Sequence, residues 1–101
     1  MAIFIKTEII KKNYLKKINL RKETIKNHIK WVKELKRKGL NIESGFLIDK
    51  MKKAGGGGLL IIECESYADA EKIIKDDPMI KNKFVDWKLH EWIDVISDNK
   101  N

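Results

Sequence analysis

The chain has 101 residues, 43% of them hydrophobic, and its 22 Lys and Arg residues against 15 Asp and Glu residues give a net charge of +7. This length fits one folded domain and excludes a cofactor domain joined to a separate substrate domain, and three Trp, two Tyr and three Phe residues argue against disorder. No apolar run approaches the roughly 18 residues of a membrane span, and the first ten residues lack signal-peptide features, so we expect a cytoplasmic protein without membrane contact.

The charge is divided unevenly, with 16 basic and 5 acidic side chains in residues 1–53 and 6 and 10 in residues 54–101. A basic half can attract nucleic acid. However, Arg21 and Arg37 are the only arginines, and Arg is the side chain best suited to phosphate and base edges. We therefore interpret the Lys excess as composition bias and expect no nucleic-acid partner. Cys64 is the only cysteine, which excludes an intramolecular disulfide and a thiolate zinc site within one chain.

The first half of the chain predicts a strand, a helix and a second strand. Residues 2–10 alternate between two sides, which is the period of a half-buried strand; the two sides carry Ile3, Ile5 and Ile9, and Phe4, Lys6 and Glu8. Residues 11–20 are predicted to be a connection. Residues 21–38 have helical spacing, with Gly39 as the stop; the apolar positions of this helix are Ile25, Ile29, Val32 and Leu35. Residues 40–48 return to alternation and predict the second strand.

The second half predicts a hairpin, a short helix and a final strand. Four glycines at 55–58 precede the apolar run 59–64, which is typical of a hairpin tip followed by the third strand. Ser66 is a candidate N-cap of a short helix that Pro78 ends. Residues 84–93 alternate again and predict the fourth strand. We expect one domain over residues 1–95 and a short polar C-terminal tail over residues 96–101.

The order β, α, β, β, α, β predicts an α+β protein of the ferredoxin-like class, with a four-stranded antiparallel sheet and two helices on one face. The second sheet face has no helix to cover it, although both faces of the strands carry large apolar side chains. A symmetric homodimer that packs sheet on sheet would remove that apolar surface from water.

Two places in the sequence could supply proton-transfer chemistry. His28 lies on or beside the apolar stripe of the long helix, and Asp76 and Asp77 stand directly before Pro78, where the second helix must break. In this fold the two helices lie side by side, so residues of both can face one groove. An imidazole held by a carboxylate can move a proton near neutral pH, and the sequence leaves open which of the two aspartates points inward.

The whole pattern resembles the YciI-like (YCII-related) family over roughly residues 22–92. The features that carry the resemblance are His28 in a basic helix, Gly39-Leu40, Ser44-Gly45, the glycine run before Leu-Leu-Ile-Ile-Glu, Ser66 opening a helix with Ala70, and Asp76-Asp77-Pro78. Membership implies a dimeric α+β barrel and a His and Asp pair as the active site, which corresponds to His28 and Asp77. Ser44, Gly45 and Phe46 are then expected to line the same cleft and bind substrate. The family usually has Pro where this chain has Phe46, which puts the substrate of relatives in doubt for this chain.

The resemblance implies a small cofactor-free enzyme of the lyase or isomerase kind, or a dehydrochlorinase, that abstracts a proton from a small organic substrate. The alternative is a binding module that holds a small metabolite without catalysis. RNA binding is a third possibility, but the predicted third strand lacks the aromatic side chains on which RNA-recognition modules stack bases. We expect no metal, because His90 and Glu91 have no further ligand at a suitable spacing, and the glycine run lacks the Lys-Ser or Lys-Thr of a phosphate loop.

Overall fold

The computed structural model describes residues 1–96, so the predicted polar tail lies outside the described residues except for its first position. Within this range the chain forms, from its N-terminus onward, strand β1 (Ala2–Ile10), a 3-10 turn (Lys12–Tyr14), helix α1 (Ile18–Arg37), strand β2 (Ile42–Ile48), strand β3 (Ala54–Cys64), helix α2 (Tyr67–Ile74), the short helix α3 (Pro78–Lys81) and strand β4 (Val85–Trp92).

The strands form one sheet in the order β2-β3-β1-β4, and every neighbouring pair is antiparallel. Helices pack against one face of this sheet, which we call the inner face. The buried side chains on that face include Phe4, Ile42, Leu60, Ile62 and Leu89. The predicted ferredoxin-like α+β fold is therefore confirmed. The order follows from the connections, because α1 carries the chain from a central strand to one edge of the sheet and α2 with α3 carry it to the other edge.

The prediction of which side of helix α1 is buried is wrong for the first half of the helix. Ile25 and Ile29 are 37% and 46% exposed, whereas Thr24 is 2% exposed. The side of α1 that faces the sheet carries Thr24, His28 and Val32, which are four residues apart and therefore lie on one stripe. Ile25 and Ile29 each lie one position beyond a residue of this stripe, and periodicity alone does not fix the buried side of a helix to within one residue.

The glycine run lies inside strand β3 and not at the hairpin tip, so that prediction is wrong. The chain reverses at residues 49–53, where the Asp49 carboxylate accepts hydrogen bonds from the backbone N–H groups of Met51 at 2.8 Å and Lys53 at 3.0 Å. Lys52 adopts a positive φ of 61° within this turn. An Asp side chain that binds the backbone two residues ahead is a turn-forming feature, and in this hairpin it replaces glycine at the tip.

Gly57 shows why glycines occupy the strand. Its φ is 83°, and a Cβ at this position would lie 2.1 Å from the carbonyl oxygen of Glu8. The pairing of β2 with β3 also shifts register between Phe46 and Ile48. The glycines thus permit a close approach of strand β1 and an irregular, bulged pairing at this end of the sheet.

Helix α2 begins where the sequence predicts, since the Ser66 side chain accepts a hydrogen bond from the backbone N–H of Asp69. The helix ends at Ile74, before the proline. Pro78 instead opens α3 at its first helical position, where its fixed φ is favourable and its missing N–H costs nothing. Asp77 becomes the N-cap of α3, and its position there builds the site described below.

The opposite face of the sheet, which we call the outer face, carries both apolar and charged side chains and is not covered by any element within residues 1–96. Ile9 and Trp92 on this face are 66% and 52% exposed. Ile3 and Ile5 also belong to it and are half-buried. In addition, no helix in the described part of the chain is long and apolar enough to cross a membrane.

Candidate active site

The site lies between α1, the start of α3 and two adjacent rows of inner-face residues. Neighbouring strands place one side chain each in a row. The first row, across β2, β3, β1 and β4, is Ser44, Leu60, Lys6 and Leu89. The second row is Phe46, Gly58, Glu8 and Trp87.

His28 is the centre of the site because both of its ring nitrogens have a partner. Nδ1 lies 2.8 Å from Oδ1 of Asp77, and Nε2 lies 2.8 Å from Oγ of Ser44. The His28 side chain is 14% exposed, and the ring of Trp31 stands 5.9 Å from the imidazole, centroid to centroid. Helix α1 therefore holds the imidazole between a buried carboxylate and a hydroxyl on the edge strand of the sheet.

Asp77 is fully buried, whereas its neighbour Asp76 is exposed. Its Oδ1 accepts a hydrogen bond from the backbone N–H of Met79 at 3.0 Å, as an N-cap carboxylate does. Pro78 at the first helical position fixes the chain so that the same carboxylate faces His28 on α1. Of the two aspartates that the sequence left open, Asp77 is the one that contacts His28, at 2.8 Å.

Lys6 and Glu8 extend the site, and neither was predicted from the sequence to belong to it. The Lys6 side chain is 1% exposed, and its Nζ donates a hydrogen bond to Oδ2 of Asp77 at 2.8 Å. Nζ also forms an ion pair with the carboxylate of Glu8, which is 9% exposed. The only signal in the sequence is that both residues share the inner side of β1 with Phe4, and a strand pattern alone gives no reason to bury them.

The surroundings keep Asp77 ionised. Burial by itself raises the pKa of Asp77, but the hydrogen bond with His28 and the positive charge of Lys6 lower the pKa more, so that it lies below the ordinary carboxyl value. An ionised carboxylate can only accept hydrogen bonds. Since Asp77 accepts from His28, Nδ1 of the imidazole carries a proton, and in the neutral ring Nε2 is then the nitrogen with the free lone pair.

The three predicted substrate-binding residues occupy different surroundings. Ser44 contacts His28 directly. Phe46 is on the same inner side of β2, one row farther from Lys6, and is 69% exposed. Gly45 alternates to the outer face, and a Cβ built there would meet nothing within 4 Å. Only Ser44 among the three is therefore joined to the His28 and Asp77 pair by a contact.

Other candidate chemistry lies apart from this site. Within residues 1–96, no three His, Cys, Asp or Glu side chains are grouped in a way that could hold a metal ion. Cys64 is buried, and burial, with a smaller effect of the Asp69 charge, raises the pKa of its thiol. A raised pKa keeps the thiol protonated, which fits a structural cysteine.

Comparisons with known proteins agree with the fold. The family profile described as the YCII-related domain matches residues 5–93, so the chain belongs to this family, as the sequence features predicted. No curated protein matches the sequence. A solved structure of 5-chloro-2-hydroxyhydroquinone dehydrochlorinase from Burkholderia phenoliruptrix AC1100, in complex with 2,5-dihydroxybenzoquinone, is similar with a TM-score of 0.68 and 19% identity over 90% of this chain and 93% of that chain. At this identity the likeness shows the fold alone.

Proposed function

We propose that the chain is a small enzyme in which His28 acts as a general base on a small organic substrate. Asp77 orients the imidazole through Nδ1 and stabilises the imidazolium that forms when Nε2 takes a proton. The observation that carries the proposal is the pair of 2.8 Å contacts on His28, one to a buried anion and one to Ser44 on the exposed edge strand. A carboxylate behind an imidazole orients the ring and stabilises the imidazolium, which supports general-base catalysis by histidine.

The proposed substrate is a hydroxylated aromatic or a similar small, acidified organic molecule, and the reaction is a lyase, isomerase or dehydrochlorinase step. The support is the fold relative that dechlorinates a chlorinated hydroxyhydroquinone and binds a dihydroxybenzoquinone. Phe46, 69% exposed on the strand that carries Ser44, offers an aromatic surface for a planar ring. Ser44 and Phe46 are therefore the residues we assign to substrate binding, and Gly45 between them keeps the strand free of a side chain on the outer side.

We also propose that two copies of the chain associate through the outer face. That face presents Ile9 and Trp92 to solvent, and a monomer would leave this apolar surface in water. A dimer of this kind would not involve the inner face, so each copy would keep its own site with His28 and Asp77.

A substrate screen tests the enzymatic proposal. The chain is incubated with small chlorinated and unchlorinated hydroquinones and with lactones, and product formation is followed by absorbance and mass spectrometry. We expect turnover with at least one compound, and a loss of about 10²–10⁴-fold in kcat for His28→Gln and for Asp77→Asn. Asp76→Asn is the matched control, because Asp76 is adjacent but exposed. Turnover that survives His28→Gln would remove His28 from the mechanism.

Saturable binding without turnover would favour the alternative, a binding module for a small metabolite in which His28 only hydrogen-bonds the ligand. Calorimetry with the same compounds distinguishes the two functions. If the chain is a binding module, Asp77→Asn weakens binding, and no compound in the screen is consumed.

A second candidate follows from the order Ser44, His28, Asp77, which has the hydrogen-bond sequence of a serine hydrolase triad. In that reaction Ser44 Oγ would bond to an acyl carbon, His28 would take the hydroxyl proton and pass it to the leaving group, and water would release the acid. Ser44→Ala separates the two candidates. If His28 is a general base on the substrate, the Ser44→Ala variant loses only a binding contact. If Ser44 is a nucleophile, the variant loses all turnover and all labelling by a fluorophosphonate probe.

A further inference from the structure

The Lys6 and Glu8 ion pair occupies a place where the fold needs only apolar side chains. Lys6 stands in a row between Leu60 and Leu89, both buried, and is itself 1% exposed. Removing an ammonium group from water costs several kcal/mol, and a buried ion pair seldom repays more than that cost. Stability alone therefore does not account for a lysine at this position.

The contacts of the pair lead toward His28. Nζ of Lys6 bonds Oδ2 of Asp77 at 2.8 Å and pairs with Glu8 on its other side. Oδ1 of the same aspartate bonds His28. The charges of Glu8, Lys6 and Asp77 thus form one continuous line of charge of alternating sign, which runs from the sheet to the imidazole of His28.

We propose that Lys6, held by Glu8, is a positioning residue for the proposed base: it compensates part of the charge of the buried Asp77 carboxylate and so limits how strongly that carboxylate stabilises a proton on His28. This inference rests on the proposed function for its purpose, but its test needs no substrate. A carboxylate without Lys6 would stabilise the imidazolium form of His28 more strongly, and an imidazolium is not a base. Glu8 acts in the opposite sense, since its charge offsets part of that of Lys6.

The other groups around His28 carry no charge, so the line of charge determines the electrostatic effect on the imidazole. The hydroxyl of Ser44 on β2 and the ring of Trp31 on α1 are neutral. The helix residues one turn to either side, Thr24 and Val32, are also uncharged. Asp77 at the N-cap of α3, and behind it Lys6 and Glu8 on β1, are the charged groups that these contacts connect to the imidazole.

Gly58 belongs to the same arrangement. A Cβ at Gly58 would lie 2.9 Å from Cγ and 3.1 Å from Cδ of Glu8, so the missing side chain leaves the space in which the Glu8 carboxylate turns toward Lys6. One glycine of the run that the sequence pattern assigns to a hairpin tip therefore makes room for the Glu8 side chain.

The test measures the share of His28 rings that are protonated at one fixed pH near neutrality, from the ring ¹⁵N shifts in NMR spectra of the full chain. Lys6→Met should raise the ratio of protonated to neutral rings by about tenfold or more, which is the effect of one unit charge a few ångströms away. Glu8→Gln should lower the ratio. Gly58→Ala, which changes no charge but displaces Glu8, should move it in the same direction as Glu8→Gln and by less.

Matched controls separate this effect from general damage. Lys88→Met and Glu91→Gln make the same chemical changes at exposed positions of β4, and Gly45→Ala adds a Cβ that meets nothing within 4 Å. None of the three should change the ratio. Lys6→Met leaves the buried Asp77 carboxylate and the partly buried Glu8 carboxylate without their cation, and it can prevent folding at a cost of about 3–5 kcal/mol. In that case Glu8→Gln and Gly58→Ala decide the question.

Opposite shifts for Lys6→Met and Glu8→Gln support the inference, since a purely structural role predicts no such opposition. Equal shifts in one direction, or no shift in Glu8→Gln and Gly58→Ala, overturn it. Its failure is distinguishable from that of the proposed function. If the screen finds a substrate but the ratio of protonated to neutral His28 rings does not change in the variants, only the role of Lys6 is rejected. If Lys6→Met and Glu8→Gln shift this ratio in opposite directions but no compound is turned over, only the enzymatic function is rejected.

Discussion

At the scale of single residues, Asp77 is the residue on which the arrangement of the site depends most. Its carboxylate accepts hydrogen bonds from a backbone N–H, an ammonium group and an imidazole, the donors being Met79, Lys6 and His28. Three donors around a group with no exposed surface favour the ionised form. The same carboxylate therefore caps a helix, neutralises a buried lysine and fixes the proton on one nitrogen of His28.

The lowered pKa of Asp77 makes the stability of the fold depend on pH. Because the folded-state pKa lies below the unfolded one, the contribution of Asp77 is present above the ordinary carboxyl pKa and is lost as the pH falls through that value toward the folded pKa. We expect Asp77→Asn to lower the free energy of unfolding by about 3–5 kcal/mol near pH 7, since it breaks a buried pair. This difference from wild type should shrink steadily below about pH 4.

Urea unfolding at a series of pH values measures this difference. Asp76→Asn, which changes an exposed carboxylate, is the control and should show little effect at any pH. A difference between wild type and Asp77→Asn that stays constant from neutral to acidic pH would mean that Asp77 is not ionised in the folded protein.

The sequence supplied three of the five residues in this hydrogen-bonded line and missed two. His28, Ser44 and the aspartates before Pro78 stand out through their helical position and the family resemblance. Lys6 and Glu8 do not, because a charged side chain on a strand is ordinarily exposed. The burial of Lys6 depends on a carboxylate 71 positions away, which local patterns cannot reveal.

At the scale of elements, helix α1 shows that apolar periodicity predicts a helix but not which of its sides is buried. Its existence follows from the apolar spacing, but the predicted buried side included Ile25 and Ile29, which are exposed. The sheet instead covers Thr24 and His28, since their stripe is the one that reaches Asp77 and Ser44. The polar Thr24 and His28 thus take buried positions in place of the apolar Ile25 and Ile29, and only the tertiary structure decides between them.

The β2–β3 hairpin gives a second example. Four consecutive glycines indicate a reversal, yet the turn forms at Asp49 through its own side-chain hydrogen bonds. The prediction of a tip rests on the conformational freedom of glycine alone. In the fold, Gly57 and Gly58 serve close approaches to Glu8, one to its backbone and one to its side chain. The existence of the strand was predictable, and the use of its glycines required knowledge of the neighbouring strand.

At the scale of the whole molecule, the two faces of the sheet have different surroundings. The inner face buries the core and the line of charge that ends at His28, while the outer face has exposed apolar side chains such as Ile9 and Trp92 and is uncovered in the described residues. The strand order and the placement of helices on one side of the sheet could be predicted, because connection rules leave few arrangements for this order of elements. The proposed dimer would cover the outer face, and the sequence of one chain predicts it only through the apolar side chains on both faces of the strands.

We expect the chain to form a dimer that a charge on the outer face disrupts. Light scattering should give a mass of two 11.8 kDa chains for the wild type. Ile9→Asp should raise the dissociation constant of the dimer at least about tenfold, because it buries an unpaired carboxylate in the contact. Ile29→Asp makes the same change on the exposed side of α1 and should leave the mass unchanged. A monomeric wild type at micromolar concentration would contradict the proposed association.

We propose that an ionised Asp77 holds the proton on Nδ1 of His28 and leaves Nε2 as the base. The most direct test is the ring ¹⁵N spectrum of the wild-type chain at a pH where the imidazole is neutral, and the two histidines can be assigned with one His90 variant. We predict that the His28 ring is the Nδ1–H tautomer, with a hydrogen-bonded Nδ1 and a pyridine-like Nε2. A neutral ring with its proton on Nε2 would contradict this claim, because Asp77 would then have to be protonated in order to bond Nδ1.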